Sequence, residues 1–526
     1  MTPAPQPKSL VARIWGALSA PREANNQRAP QRRGFNAAQV NRLTAGWSST
    51  TTSANSDIFR SLDILRARSR TLAQNDEYVK KWLQMVVTNV IGPVGFRFQA
   101  RVYDPATKAN EAPKPDQLAN DALETAWAKW CKAADVTGRT DFTGLCHLMI
   151  KAAARDGEIL ARWVRGKDSA NSFGIALQLL DINRLDTNHN RPEGAGVTQI
   201  RMGVELNTWG RPTHYWLRTR NPGDVYTVAQ GQNQSMHERV PAGDIIHAFI
   251  GDDAEQVRGV PWAHAAMERL NNRGAFEHAA IIAARVGASK MGFFTTPDGG
   301  AEPVSTGEET DTNGDQQLVS EADPGTMEVL PEGYDFKSFD PAYPSDMFGE
   351  FIKANLRGTA SGLGIAYHSL ANDLEGVSFS SIRSGTLEER DCWIVMQEWF
   401  RQAVLERVHG EVLNAALSFG QAVMPNGSAL PLAKRDKFEP HLFQGRRWDW
   451  VDPKKDIEAD LLAIDGGLKS PQSVAAKLGL DYEDLLAEIK AAADMRKRMG
   501  VELPDRNNQQ QQQKPAEPAD PEPATA

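Results

Sequence analysis

Gly466-Gly-Leu-Lys-Ser470 carries the glycine, lysine and serine of a phosphate-cradling loop. Leu468 parts glycine from lysine, however, and Pro471 follows as a helix start, so the segment reads as an interhelical turn. Ser361-Gly-Leu-Gly364 lacks the preceding strand that a dinucleotide loop needs, and reads as a glycine-softened helix end. Cys146-His147 offers a thiol and an imidazole, a nucleophile and its base. Adjacent side chains on a helix diverge, which argues against a dyad. Ser378, Ser380 and Ser381 cluster with no base fixed nearby in sequence, and turn chemistry accounts for them. No HExxH, no Cys/His cluster at zinc spacing and no GxSxG elbow occurs. The sequence therefore points to no catalytic residue, no metal and no cofactor, and the expectation is a scaffold without catalytic chemistry of its own.

Composition bounds what such a scaffold can be. Hydrophobic residues make up 41% and charged residues 24% of the 526 positions, which suits a chain with a real core and excludes disorder throughout. At roughly 150 residues per domain, about three or four domains or subdomains are expected. Lys and Arg number 59 against 67 Asp and Glu, a net charge of −8. With a pI near 5.8, the chain does not suit a protein that grips nucleic acid mainly through a basic surface. No stretch approaches the ~18 apolar residues of a membrane span, and Arg13 interrupts the only signal-like run, Ser9 to Trp15. The cysteines Cys131, Cys146 and Cys392 cannot all pair with one another and lack CxxC spacing, so reduced core thiols in a cytoplasmically made protein are expected.

The elements that must position these residues are well punctuated. Residues 1–56 hold Lys8, Arg13, Arg22, Arg28, Arg32, Arg33 and Arg42 against Glu23, either a solvated tail or a basic arm touching nucleic acid or an acidic partner. Helical spacing predicts helices over 58–74, 77–91 and 117–131, with a strand at Phe96–Phe98. Asp141 caps a helix that ends near Asp156-Gly157. A β-rich block spans 158–250. In it, Ile200, Met202, Val204 and Leu206 alternate as one strand, which turns at Asn207–Gly210 into Tyr215–Arg218. Pro261 opens a long helix over 261–287, about 39 Å at 1.5 Å per residue. Segment 295–326 carries eight acids (Asp298, Glu302, Glu308, Glu309, Asp311, Asp315, Glu321, Asp323) and no base, the mark of an exposed loop. A helix over 345–361, a polar loop at Asn372–Ser381 and a helix ending near His409 follow. Helix starts at Asp452-Pro453, Ser470-Pro471 and Asp481 precede a low-complexity tail from Pro504.

Four ordered segments make the chain similar to the portal proteins of tailed bacteriophages, of the lambda type. They are Leu65-Arg-Ala-Arg-Ser-Arg-Thr-Leu-Ala-Gln-Asn-Asp-Glu-Tyr78 with Asn89-Val-Ile-Gly92; Val240-Pro-Ala-Gly-Asp-Ile-Ile-His247 with Arg258-Gly-Val-Pro-Trp262; Gly362-Leu-Gly-Ile-Ala-Tyr367 with Ser380-Ser-Ile-Arg383; and Trp448-Asp-Trp-Val-Asp-Pro453 with Lys454, Ala463, Gly467 and Leu468. Ala366 stands where the family pattern carries proline, and Ser378-Phe379 where it tends to carry Asn-Tyr. The resemblance implies an α+β portal fold with wing, helical stem, β-containing clip and α-helical crown, assembling into a ring. After the 1–56 arm it implies a wing from 57–140 and 327–410, stem helices at 141–157 and 257–292, and a clip at 158–256. The acidic loop (293–326), a tunnel loop at 371–382, a wing-to-crown connection at 411–451, crown helices at 452–503 and a disordered 504–526 tail complete it.

The same resemblance implies a dodecameric channel at one capsid vertex, through which double-stranded DNA is packaged and ejected without sequence preference. Implied partners are the terminase large subunit, which supplies ATP hydrolysis, head-completion and adaptor proteins, and major capsid and scaffold proteins, with a role in nucleating procapsid assembly. The place is the virion, after assembly in the host cytoplasm. The expected DNA-channel residues are Arg285 and Lys290 at the end of the long helix, and Asn372, Asp373 and Ser378 in the polar loop. Two rival readings are a phage head-associated hydrolase or protease, which needs a nucleophile–base pair or metal site, and a minor head adaptor without a channel, which is usually much shorter.

Overall fold

Among the described residues an aspartate or serine caps five of the helices, and a glycine closes two. Helices α1 (Ala54–Asn75) and α2 (Glu77–Val90) come first, followed by β1 (Arg97–Ala100), β2 (Tyr103–Asp104) and β3 (Lys114–Pro115). Asp76, between the two helices, accepts hydrogen bonds from the Tyr78 and Val79 amides at 3.0 Å each. Helices α3 (Gln117–Cys131) and α4 (Phe142–Asp156) are capped in the same way by Asp116 and Asp141. They lead into seven strands among the described residues: β4 (Ile159–Arg165), β5 (Ile175–Leu179), β6 (Gln199–Arg201), β7 (Val204–Leu206), β8 (Pro212–Arg218), β9 (His237–Pro241) and β10 (Ile245–Ala248). Helix α5 (Met267–Ala288), strands β11 (Gly292–Thr295) and β12 (Asp335–Ser338), and helices α6 (Phe348–Leu363), α7 (Tyr367–Ala371), α8 (Phe379–Phe400) and α9 (Glu406–Ser418) follow. Strand β13 (His441–Gln444) precedes helices α10 (Pro453–Asp465), α11 (Pro471–Lys477) and α12 (Tyr482–Met499).

The computed structural model describes residues 42, 46, 50–104, 114–194, 197–224, 236–288, 292–295, 335–338, 347–376, 378–448, 453–480 and 482–500. The chain divides into two units, Met1–Ser53 and Ala54–Ala526. Nearly all of the expected basic arm, the eight acids of segment 295–326, Lys290, Asp452, Asp481 and the 504–526 tail lie outside the described residues.

In the larger unit β10, β4 and β5 form an antiparallel sheet, and β6 to β9 form a second one in sequence order. The main core gathers Trp82, Trp130, Met149, Ile159, Leu177, Phe400 and Leu413 from helices and sheet alike. A second core, including Leu160, Val204, Tyr215, Leu217, Val240 and Ile245, draws on both sheets. Pairing of β1 with β13 sets Phe98 opposite Phe443 and ties the start of the chain to its last third. The mixture of helix and antiparallel sheet is that of an α+β protein.

Four expectations need correction. The strand read through Ile200–Leu206 is a hairpin, because Met202 (φ 48°) and Gly203 (φ 84°) both take the left-handed region and reverse the chain. The long helix begins at Met267, six residues after Pro261. The residues between are turns, with the Trp262 amide bonded to the Ala154 carbonyl at 3.1 Å instead of starting a helix. The polar loop is shorter than Asn372–Ser381, since Ser378 already caps α8. Finally, the helix expected to stop near His409 runs through a π-helical turn, Arg401–Leu405, into α9 and ends at Ser418.

Gly157 ends α4 at φ 89° beneath the approach to α5. A Cβ there would lie 2.3 Å from the Val260 carbonyl carbon, and one on Gly259 would lie 2.2 Å from the Gly157 oxygen. Gly138, at φ 65°, faces open space. Gly138→Ala should therefore lose only the ~1–2 kcal/mol of a left-handed alanine. Gly157→Ala should lose about 4 kcal/mol or more in thermal or denaturant melts; equal losses would contradict this packing.

Candidate functional site

The loop between α7 and α8 holds three of the residues singled out from sequence, and structure binds it at both ends. Asn372 takes a left-handed conformation (φ 55°) at the C-cap of α7. Its side-chain oxygen accepts a hydrogen bond from Lys81 on α2, whose Nζ also donates to the Leu370 carbonyl at 3.1 Å. Asp373 accepts from the Tyr367 hydroxyl at 2.7 Å and from the Glu375 amide at 3.1 Å. Lys353 on α6 pairs with Asp373 at 3.6 Å and Glu375 at 3.0 Å. The Tyr367 hydrogen bond, followed by the Glu375 amide, holds the Asp373 carboxyl below its usual range. Ser378 closes the loop by accepting from the Ser381 amide, so the serine cluster is a helix cap.

Asn372, Asp373 and Ser378 thus share one loop, whose Leu374 is 61% exposed. Arg285 is exposed near the last turn of a different helix, α5, and takes no part in this network. The thiol–imidazole pair stays apart. Cys146 is buried, and His147 Nε2 bonds the Gly92 carbonyl oxygen at 2.7 Å. Burial pushes the Cys131 thiol up to about 12 and the Cys146 thiol well above its ordinary value. Among the described residues no group of three or more His, Cys, Asp or Glu is placed to hold a metal ion.

Sequence reasoning missed the most heavily bonded polar centre, which forms around Glu158. This carboxylate is fully buried. Arg258, equally buried, reaches it with Nε at 2.9 Å and Nη2 at 3.0 Å. Arg66 Nη2 approaches to 2.5 Å, and the Gly259 amide donates at 2.5 Å. Arg258 Nη1 also donates to the Met202 carbonyl at 2.6 Å, inside the β6–β7 turn. His247 Nε2 lies 3.4 Å away without hydrogen-bond geometry, and burial lowers the imidazole's pKa. Next to the cluster, Arg70 forms a two-pronged contact with Asp156 at 2.8 and 3.1 Å and reaches Asp181 at 2.9 Å.

Burial alone would raise the Glu158 pKa. Arg258 and Arg66, with His247, outweigh it and hold the carboxyl well below its ordinary value. Burial, with repulsion from Arg258, lowers Arg66 to about 10 despite the attraction of Glu158. The signal available in the sequence was small. Arg66 falls at the next step of four after Ile58 and Leu62, all three on the buried face of α1. A long cation in an apolar stripe implies a buried partner, but spacing cannot say which.

Arg66, His247 and Arg258 come from two of the four segments whose order suggested a family. Residues 40–397 match the model of a family described as phage portal protein, lambda family. The chain belongs to that family. Of the four segments quoted from sequence, the one from Trp448 onward lies beyond the matched residues. Among curated relatives, a probable portal protein of Halomonas phage phiHAP-1 is 33% identical over 507 residues, covering 94% of this chain and 93% of that one. Portal protein B of Escherichia phage lambda is 22% identical over 489 residues, covering 87% and 88%. Among solved structures, a chain from the neck of an empty GTA particle is 14% identical and covers 83% of this chain and 97% of its own length, with a TM-score of 0.39.

Glu158→Gln leaves two buried guanidinium groups facing a neutral amide and should cost about 3–5 kcal/mol in denaturant unfolding. Because the folded carboxyl titrates below its ordinary 4.5, its contribution is complete above that pH and fades as pH falls beneath it. The variant should accordingly lose part of the wild-type decline in stability below pH 4.5. A loss under about 1 kcal/mol, the size of an exposed pair, would contradict the role given to Glu158.

Proposed function

We propose that many identical copies of this chain, twelve in the assembled virion, close into a ring around a channel for double-stranded DNA at one capsid vertex. The observation that supports this reading is the match of residues 40–397 to the lambda portal family. On it, α4 and α5 are the two stem helices and β4 to β10 belong to the clip, which docks the terminase large subunit and later head-completion and adaptor proteins. Residues 57–140 and 327–410 build the wing, 411–451 connect it onward, and α10 to α12 form the crown inside the head. Major capsid and scaffold proteins surround the ring, which offers a nucleus for procapsid assembly in the host cytoplasm. The chain itself is a conduit and not an enzyme; terminase hydrolyses ATP.

A conduit for a whole genome must keep the duplex coaxial without gripping it. Duplex DNA carries one negative charge per ~1.7 Å, and each Lys or Arg that neutralises a phosphate adds to a salt-sensitive brake. Twelve copies at −8 each total −96, which favours repulsion over capture. Residues 371–382, which contain loop 372–378, are the candidate tunnel loop. Its ties to Lys353 are exposed ion pairs, weak in water and weakened further by salt, so the loop can yield as DNA passes. Arg285, near the end of the long helix, and Lys290, later in the sequence, make transient phosphate contacts.

Electron micrographs of the purified protein should show rings with a central hole of about duplex width; small globules only would defeat the proposal. Deleting Asp373 to Gly376 should impair DNA retention more than ring assembly, and equal loss of both would count against the loop's role. Rings carrying Arg285→Ala and Lys290→Ala should package or retain less full-length DNA than wild type. Normal packaging and retention would remove those two cations from the channel.

A further inference from the structure

Helices α10 and α12 each leave an apolar row open to solvent. On α10 the row is Ile457, Leu461 and Ile464, the first two 40% and 55% exposed. On α12 it is Leu486, Ile489 and Ala493, the first two 47% and 52% exposed. Steps of three and four keep each row on one face of its helix. A different side of α10 fastens it to α11, where buried Asp460 takes Lys469 at 2.7 Å and Lys477 at 3.6 Å. Two acids seven residues apart, Glu458 and Asp465, flank the α10 row. Two bases at the same spacing, Lys490 and Lys497, flank the α12 row. All four are exposed, and among the described residues none of them forms an ion pair. Seven residues span about two turns, ~10.5 Å, so the acids on one helix and the bases on the other share one pitch.

We propose that the α10 face of one copy packs antiparallel on the α12 face of a second copy of this chain, with Glu458 facing Lys497 and Asp465 facing Lys490. At about 100° per residue each charged pair falls on the same side of its apolar row, and antiparallel packing brings such sides together. Acid then meets base at both positions, while Leu461 meets Ala493 and Ile464 meets Ile489 between them. The two faces differ, so the contact can repeat head to tail from copy to copy until a ring closes. Each base is matched by an acid of the neighbour, so the seam adds no brake on DNA. The inference rests on the ring reading for the number of copies and not for the contact itself.

The test is a charge swap in the full-length protein, read by sedimentation velocity over a concentration series. One variant carries Glu458→Lys with Asp465→Lys, the other Lys490→Glu with Lys497→Glu. Each alone should raise the concentration at which half the protein is assembled by about tenfold, the scale of two exposed pairs turned from attraction to repulsion. The two variants mixed before assembly should recover wild-type behaviour, because each reversed face finds its complement on the other variant, and misfolded chains give no such recovery. Four substitutions in one chain should recover it as well. Indifference of both variants to the reversal would overturn the proposal. So would recovery by the fourfold variant without recovery by the mixture, which places the pairing inside one chain, and so would loss that neither combination repairs. Wild-type rings with any of these results sink the seam and leave the ring standing; smaller assemblies that obey the swap, without rings, do the reverse.

Discussion

An ionised carboxylate with no access to water must be matched on the spot, and Glu158 is in that position. Removing such a charge from solvent costs several kcal/mol even after the protein relaxes. Only good geometry offsets this, and here it comes from Arg258, Arg66 and the Gly259 amide. They belong to α1 and to the segment leading into α5, while Glu158 itself sits at the junction of α4 with β4. Meeting the needs of one side chain therefore fixes three stretches of chain far apart in sequence. Arg258 extends the constraint to the β6–β7 turn through the Met202 carbonyl.

Close backbone contact makes that convergence feasible. Gly157 and Gly259 press together with no room for a Cβ on either, so the carboxylate at 158 can reach the amide at 259. Around this point the three-stranded sheet hangs from α4 through β4, and the second sheet shares its core through Leu160, Tyr215 and Ile245. Loop 372–378 is of another kind. It is exposed and held by lysines from α2 and α6. The molecule thus combines a stiff interior joint with a surface segment held by weak, salt-sensitive ties.

Much of the fold was legible because its boundaries are local chemistry. Asp141 announces α4 and Ser470-Pro471 announces α11, while the caps that Asp76 and Asp116 give α2 and α3 emerge only in the structure. The failures are non-local. A methionine in the left-handed region at position 202 contradicts its own propensity and is held there by Asn190, whose side-chain oxygen accepts from the Met202 amide at 2.7 Å. Turns at 261–266 replace helix because Trp262 bonds across to α4. Loop residues Asn372, Asp373 and Ser378 could be grouped from sequence because they are neighbours in it. Arg66, Glu158 and Arg258 could not, since pairing across 92 and 100 residues leaves no trace in spacing.

The π-helical turn at Arg401–Leu405 has a geometric consequence for the long rod formed by α8 and α9. Buried positions along it are Trp393, Gln397 and Phe400 before the turn, and Val404, Leu405, Val408, His409, Val412, Leu413, Ala415, Ala416 and Leu417 from the turn onward. The α8 half thus buries one narrow row and the α9 half a much wider face. One extra residue in the wide turn is worth about 100° of helical phase. Both ends of the rod are thereby indexed to each other, and the orientation of the α8 end is set by the register of a single helical turn.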